Sequence, residues 1–153
     1  MATLCRSLST APTSGPTTTA PTTTTAKAAA AELPKPCDVL TAAEVQAATG
    51  IVVTATPDSL VTTACDYNAG TNGIITMTVS PVKITTDLAN GFLKSSAATY
   101  KPVPGVGVVS AVAGPPEGRL VVVTATAGFD VSRAGGNPLS EDQLIKIAKA
   151  IVA

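Results

Sequence analysis

The feature that most limits what this chain can fold into is an abrupt change of character at about Leu33. From Ser7 to Thr25 the residues are almost wholly Ser, Thr, Pro and Ala, with runs at Thr17–Thr19 and Thr22–Thr25. Such a stretch has too little apolar surface to offset a backbone ordering cost of roughly 1–2 kcal/mol per residue. Its prolines remove backbone donors and favour extended, solvated backbone. Residues 1–33 therefore read as a disordered stalk, and residues 34–153 as a single domain. About 120 residues can bury one core without a metal. With two Phe, two Tyr and no Trp, that core has to come from Val, Ile, Leu and Ala.

Local signals place the elements. Thr41 and Glu44 have the spacing of a capping box, Leu40 and Val45 that of a hydrophobic staple, and Gly50 supplies a left-handed stop, predicting a helix over 41–49. Strands are expected at Ile51–Ala55 and Leu60–Tyr67. Gly70–Gly73 then makes a tight hairpin turn into an alternating strand, Ile74–Ser80, with Ile75, Met77 and Val79 on one face. Thr85–Ala98 has helical spacing of Leu88, Phe92 and Leu93, although Gly91 costs it about 1 kcal/mol. Val106–Val112 and Arg119–Ala127 read as strands joined across Gly114–Gly118. Leu120–Val123, apolar throughout, suits a strand covered on both faces. Phe129–Ser132 is a further short strand. The last helix is capped by Ser140 and Gln143 and buries Leu144, Ile147, Ala148 and Ile151. The order implies an α+β fold: a mainly antiparallel sheet of about six strands covered by two or three helices.

Charge and composition exclude several functions. Lys+Arg and Asp+Glu are 10 each, and residues 34–153 keep eight against nine, which argues against a nucleic-acid partner, since such surfaces need a basic excess. The chain has no His, which removes the side chain most used for acid–base work near neutral pH. No Ser-x-x-Lys or Gly-x-Ser-x-Gly sequence occurs, and Gly105-Val106-Gly107 leads into a strand instead of the helix that a dinucleotide fingerprint needs. No catalytic residue, metal site or cofactor is expected. Asp38 and Asp66 are the one carboxylate pair that a disulfide would hold together, and they carry the alternative of a carboxylate-dependent enzyme. Each also suits a turn or cap role.

No segment reaches the 18 or so apolar residues of a membrane span, and Met1–Cys5 lacks the apolar run of a signal peptide. A Ser/Thr/Pro stalk nonetheless suits an exported protein, so the export signal is expected upstream of Met1; the other reading is a protein that is not exported. Of the three cysteines, Cys37 precedes the first helix and Cys65 lies in the second strand. A bridge between them contributes roughly 3–4 kcal/mol in the loop-entropy model. Two buried free thiols are the other reading.

Pro36-Cys37-Asp38-Val39-Leu40-Thr41-Ala42-Ala43-Glu44-Val45, Ala48-Thr49-Gly50 and Ala64-Cys65-Asp66-Tyr67 together resemble the small actinobacterial secreted lipoprotein domains of unknown function. Val103–Gly107 and the amphipathic Leu144–Val152 match the rest of that outline. The resemblance implies an envelope location and a Cys37–Cys65 link between helix cap and strand. It also implies lipid attachment at a cysteine ahead of the stalk. Cys5 holds that place, although Ala2-Thr3-Leu4 before it departs from the lipobox pattern. It transfers no catalytic residue. The expectation is a non-enzymatic extracytoplasmic module on a flexible stalk, binding an envelope protein or a small ligand and meeting membrane only through a lipid anchor. A structural surface role is the further alternative.

Overall fold

The computed structural model describes residues 32–95 and 100–153. The stalk and Cys5 lie outside the described residues, apart from Glu32 and Leu33. Leu33 packs its side chain against the core, so the packed domain takes in a residue that the sequence reading assigns to the stalk.

Four helices and six strands follow in the order α1 (Pro36–Val39), α2 (Ala42–Thr49), β1 (Thr54–Pro57), β2 (Ala64–Asn68), β3 (Ile74–Ser80), α3 (Val82–Lys94), β4 (Val109–Ala113), β5 (Arg119–Val123), β6 (Gly128–Ala134) and α4 (Glu141–Ile151). The strands form one antiparallel sheet in the order β1-β2-β3-β6-β5-β4. The expected α+β architecture is therefore present.

Both capping boxes form. Thr41 Oγ1 accepts from Glu44 N at 3.3 Å while Thr41 N donates to the Glu44 carboxylate at 2.7 Å, and Ser140 and Gln143 repeat the exchange at 3.3 and 2.9 Å. Each box satisfies amide donors at a helix start that would otherwise have no partner. Gly50 ends α2 with φ at 74°, the left-handed conformation that glycine adopts without strain. Gln143 also donates to Thr49 O at 2.7 Å, tying the start of α4 to the end of α2.

Several boundaries differ from the expected ones because pairing, and not hydropathy, decides where a strand begins. The first strand spans Thr54–Pro57 instead of Ile51–Ala55, in register with Asn68–Cys65. Val53 just before it is buried as part of the core. The second begins at Ala64, four residues late, after a loop closed by Asp58. The strands expected to start at Val106 and to end at Ala127 contract to Val109–Ala113 and Arg119–Val123. Gly70–Asn72 is a 3-10 turn, and α3 starts three residues early, directly after Pro81. The short α1 was not anticipated.

Side chains alternate across the sheet. On one face Cys65, Tyr67, Ile75, Met77, Val79, Leu120 and Val131 are buried in the main core with Leu40, Val45, Leu144 and Ile147 of the α1–α2 segment and α4. On the other face α3 lies over β4, β5 and β6, where Ala89, Ala111 and Val121 are buried. Leu120–Val123 are covered on both sides, as their composition implies. Gly128 permits this close approach, since a Cβ there would collide with Thr85 of α3.

Candidate functional site: an apolar end of the domain

Strand register defines two ends of the molecule. Ala64, where β2 begins, lies opposite Thr78 near the end of β3, and Ser80 lies opposite Gly128, where β6 begins. Val123 closes β5 opposite both Gly128 and Val109, the first residue of β4. The 58–63 loop, the 124–127 turn and the loop before β4 consequently gather at one end. α1 and the last turn of α4 reach the same end.

There they enclose an open groove of about 600 Å³, walled by Val39 of α1, Val108, Phe129, Ile151 and Val152, with the 124–126 turn at its side. Among the described residues, none lining it carries a charged side chain. Val108 is 71% exposed. The cause is local: Gly107 takes φ at 62° and a Cβ on it would meet the Val123 carbonyl, so the chain turns sharply and throws Val108 outward before the ladder starts. Val108 N donates to Val123 O at 2.6 Å, which holds it there. On the β1–β2 side of the same end Leu60 projects with 91% exposure. Asp58 Oδ1 accepts from the amides of Leu60 and Val61 at 2.7 and 3.0 Å, so the loop displaying Leu60 is fixed. Among the described residues, five of the seven exposed large apolar side chains, Leu60, Val61, Ile84, Val108 and Val152, belong to segments at this end, and Val108 and Val152 line the groove. Exposed apolar residues that line a groove, unlike single scattered ones, mark a candidate interaction site.

Cys37 and Cys65 are joined by a disulfide, with Cα atoms 5.2 Å apart. This covalent link is compatible with an oxidising, extracytoplasmic location. It pins α1, whose four residues have no side-chain cap and are too few to be stable alone. Tyr67 adds a second tie by donating its hydroxyl to Leu40 O at 2.5 Å. Burial of that phenol, with the Glu44 carboxylate as a smaller cause, pushes its ionisation far above the ordinary tyrosine value.

Asp38 and Asp66 are not brought together by the bridge. Successive strand residues point to opposite faces. Cys65 enters the core beside α1, so Asp66 faces the other way and accepts from Thr76 Oγ1 at 2.7 Å. Asp38 stays exposed on α1. Asp66 instead shares a hollow of about 300 Å³ with Asp58 and Asn68, and Asp58 and Asn68 are engaged by backbone amides of their own loops.

A second polar cluster seals α3 to the sheet. Arg119 donates to Asp130 at 3.0 and 2.5 Å, and its guanidinium lies 4.9 Å from the centre of the Phe92 ring, which stacks on Tyr100 at 4.4 Å. The hydrogen bond to Asp130 holds the Arg119 proton more tightly than usual, and burial raises Tyr100. Neither group exchanges protons near neutral pH. Among the described residues no three His, Cys, Asp or Glu side chains converge as metal ligands, and no helix is long and apolar enough to cross a membrane.

The sequence marks the disulfide partners but not the groove. Its walls come from residues up to 113 positions apart (Val39 and Val152), and each reads alone as an ordinary core valine or isoleucine. Gly105-Val106-Gly107 is the one local signal of an abrupt turn there.

The fold and this end of it define a disulfide-tethered antiparallel α+β domain with an open groove whose described lining has no charged side chain. Comparison with family models, with curated proteins and with solved structures finds no match to the chain.

Proposed function

We propose that this chain is a non-enzymatic extracytoplasmic module of the cell envelope, carried on its Ser/Thr/Pro-rich stalk, that binds a partner through the apolar end of the domain. The observation that carries the reading is the groove itself: apolar walls, no charged side chain among the described residues that line it, and two exposed valines, Val108 and Val152, on its lining. Such a lining suits binding by apolar contact and supplies no acid, base or nucleophile for chemistry. The disulfide supports the location, because a tether of this kind persists where thiols are kept oxidised.

The test of binding uses the dye 1-anilinonaphthalene-8-sulfonate and the folded full-length chain, followed by methyl NMR. Saturable shifts at Val39, Val108 and Val152 that vanish in Val108→Asp support the reading. No binding, or shifts centred on Asp58 and Asp66, overturns it. The location is tested by adding iodoacetamide, without reductant, to the cells that make the protein. Alkylation of Cys37 and Cys65 in the folded chain would refute an extracytoplasmic site.

A further inference from the structure

The sheet has two edges, β4 and β1, and the chain treats them differently. Along β4 the 101–103 segment lies on the outer side. Lys101 and Val112 exchange both backbone hydrogen bonds at 2.8 Å, and Ser110 Oγ bonds the amide and the carbonyl of Val103 at 3.1 and 2.9 Å. Along β1 no such cover is present among the described residues. Asp58 N donates to Ala64 O at 3.1 Å, and hydrogen-bonded positions of an antiparallel ladder recur at every second residue. Thr56 and Thr54 therefore turn their backbone groups toward Asp66 and Asn68 of β2, while those of Ala55 and Pro57 point away from the sheet. Pro57 has no N–H to leave unpaired there, which suits proline to an edge. The Ala55 amide, the Ala55 carbonyl and the Pro57 carbonyl form a short row to which a further strand can pair.

The charge beside this edge says what kind of strand it takes. Thr56 stands opposite Asp66, so both side chains lie on the sheet face turned away from the main core. On that face α3 packs over β4, β5 and β6. Next to β1 the same face holds the hollow of about 300 Å³ lined by Thr56, Asp58, Asp66 and Asn68. Neither carboxylate has an ion-pair partner among the described residues. The hollow is therefore negative in a domain that is close to neutral, with eight basic and nine acidic residues between positions 34 and 153. We propose that β1 docks an extended peptide segment of a different protein, one that carries a lysine or arginine. The peptide runs antiparallel, like every neighbour in this sheet. One of its residues exchanges both hydrogen bonds with Ala55, the residue two positions before it donates to Pro57 O, and the residue between them stands opposite Thr56. That middle residue faces the hollow. Neighbouring strands lie about 4.8 Å apart, so a long basic side chain crosses Thr56 to the carboxylates where a short one stops. Backbone pairing supplies the attachment and charge selects the sequence. A second copy pairing through its own β1 would set two negative hollows side by side, which like charge opposes.

The test titrates the isotope-labelled full-length chain with the capped peptide acetyl-Thr-Val-Lys-Val-Thr-amide and follows backbone amide shifts at low salt. The expected result is weak saturable binding, with Kd on the order of 1 mM or below. The largest shift falls at the Ala55 amide, with further shifts at Thr56 and Asp66. Ala55→Pro removes an outward donor that takes no part in the β1–β2 ladder, and abolishes the shifts. Asp66→Asn keeps an acceptor for Thr76 Oγ1 and weakens binding by about two- to fivefold. Added salt acts in the same direction, and the peptide with glutamate in place of lysine binds more weakly still. Val108→Asp leaves the binding unchanged, which separates this edge from the groove. The absence of a saturable shift at about ten times the expected Kd overturns the proposal. So do shifts centred on Val108, equal binding of the lysine and glutamate peptides, or a shift at Ala55 that grows with the concentration of the chain alone and marks a second copy. Should Ala55→Pro fail to fold, Asp66→Asn and the pair of peptides decide the matter on an intact edge.

Discussion

Replacing both Cys37 and Cys65 by alanine removes the one covalent tie between α1 and the sheet. The bridge closes a loop with a sequence separation of 28. The loop-entropy relation then gives about 12 cal/mol/K, or about 3.6 kcal/mol at 25 °C, lost when the denatured chain is released from that constraint. For a domain of about 120 residues, whose unfolding entropy is about 0.25 kcal/mol/K, the melting temperature falls by about 14 °C. Because the effect acts chiefly on the unfolded state, the urea m-value should rise as that state expands. Alanine, not serine, is the appropriate replacement, since Cys65 is fully buried and a hydroxyl there would need a partner. The variant leaves α1 held by its buried Pro36 and by the Tyr67–Leu40 hydrogen bond. Tyr67→Phe should therefore cost more in the Cys-free background than in the oxidised protein, where loss of that donor costs about 1–3 kcal/mol. Urea and calorimetric unfolding of the four chains measure both quantities. A loss below about 1 kcal/mol with an unchanged m-value would refute the entropic account, and strict additivity with Tyr67→Phe would refute the shared anchoring of α1.

Three further outcomes follow from other parts of the fold. Ser140→Ala should destabilise the domain by about 1 kcal/mol in urea, because one N-terminal amide of α4 loses its acceptor; an unchanged midpoint would contradict the cap. Gly128→Ala should cost about 1–3 kcal/mol through collision with Thr85 and loosen α3 selectively, which amide exchange in Val82–Lys94 would reveal; uniform exchange across the domain would contradict the close packing. The hydrogen bonds from the Thr41 amide and hydroxyl hold the Glu44 carboxyl below its ordinary value of 4.5. The unfolded chain thus binds this proton at higher pH than the folded one, so the contribution is complete above that value and is lost as pH falls through the lowered folded value. Glu44→Gln keeps an acceptor for the Thr41 amide without the titration, and should flatten the acid side of the stability profile; a profile parallel to that of the unaltered chain would exclude Glu44 as a source.

Much of the fold is legible in short stretches of sequence where the deciding contacts are local. Thr41 with Glu44 and Ser140 with Gln143 act over three residues, so both helix starts are visible without knowledge of the fold. Ile75, Met77 and Val79 alternate within one strand, and their shared burial follows from the two-residue period alone. Where neighbouring strands decide, the reading slips. Ile51–Val53 has the hydropathy of a strand, yet the ladder runs only from Thr54, opposite Asn68 at the end of β2, to Pro57, opposite Cys65. The 106–108 segment is apolar, yet it is a turn because two glycines at positive φ carry the chain past Val123.

What the amino-acid order determined by itself was the composition break near Leu33, the two capped helices, the alternating strand β3 and a pair of cysteines placed to bridge the segment before the first capped helix to the second strand. These depend on interactions along a few residues of chain, or on a count of apolar side chains. Tertiary structure alone decided that Asp66 shares a hollow with Asp58 and Asn68 and not with Asp38, because strand pairing and the 58–63 loop bring those side chains to one place. It also decided that Val39, Val108, Phe129 and Val152 share a groove with Leu60 displayed on the same end. That grouping comes from the order and register of six strands, and no local property of a valine records where a distant strand will bring it.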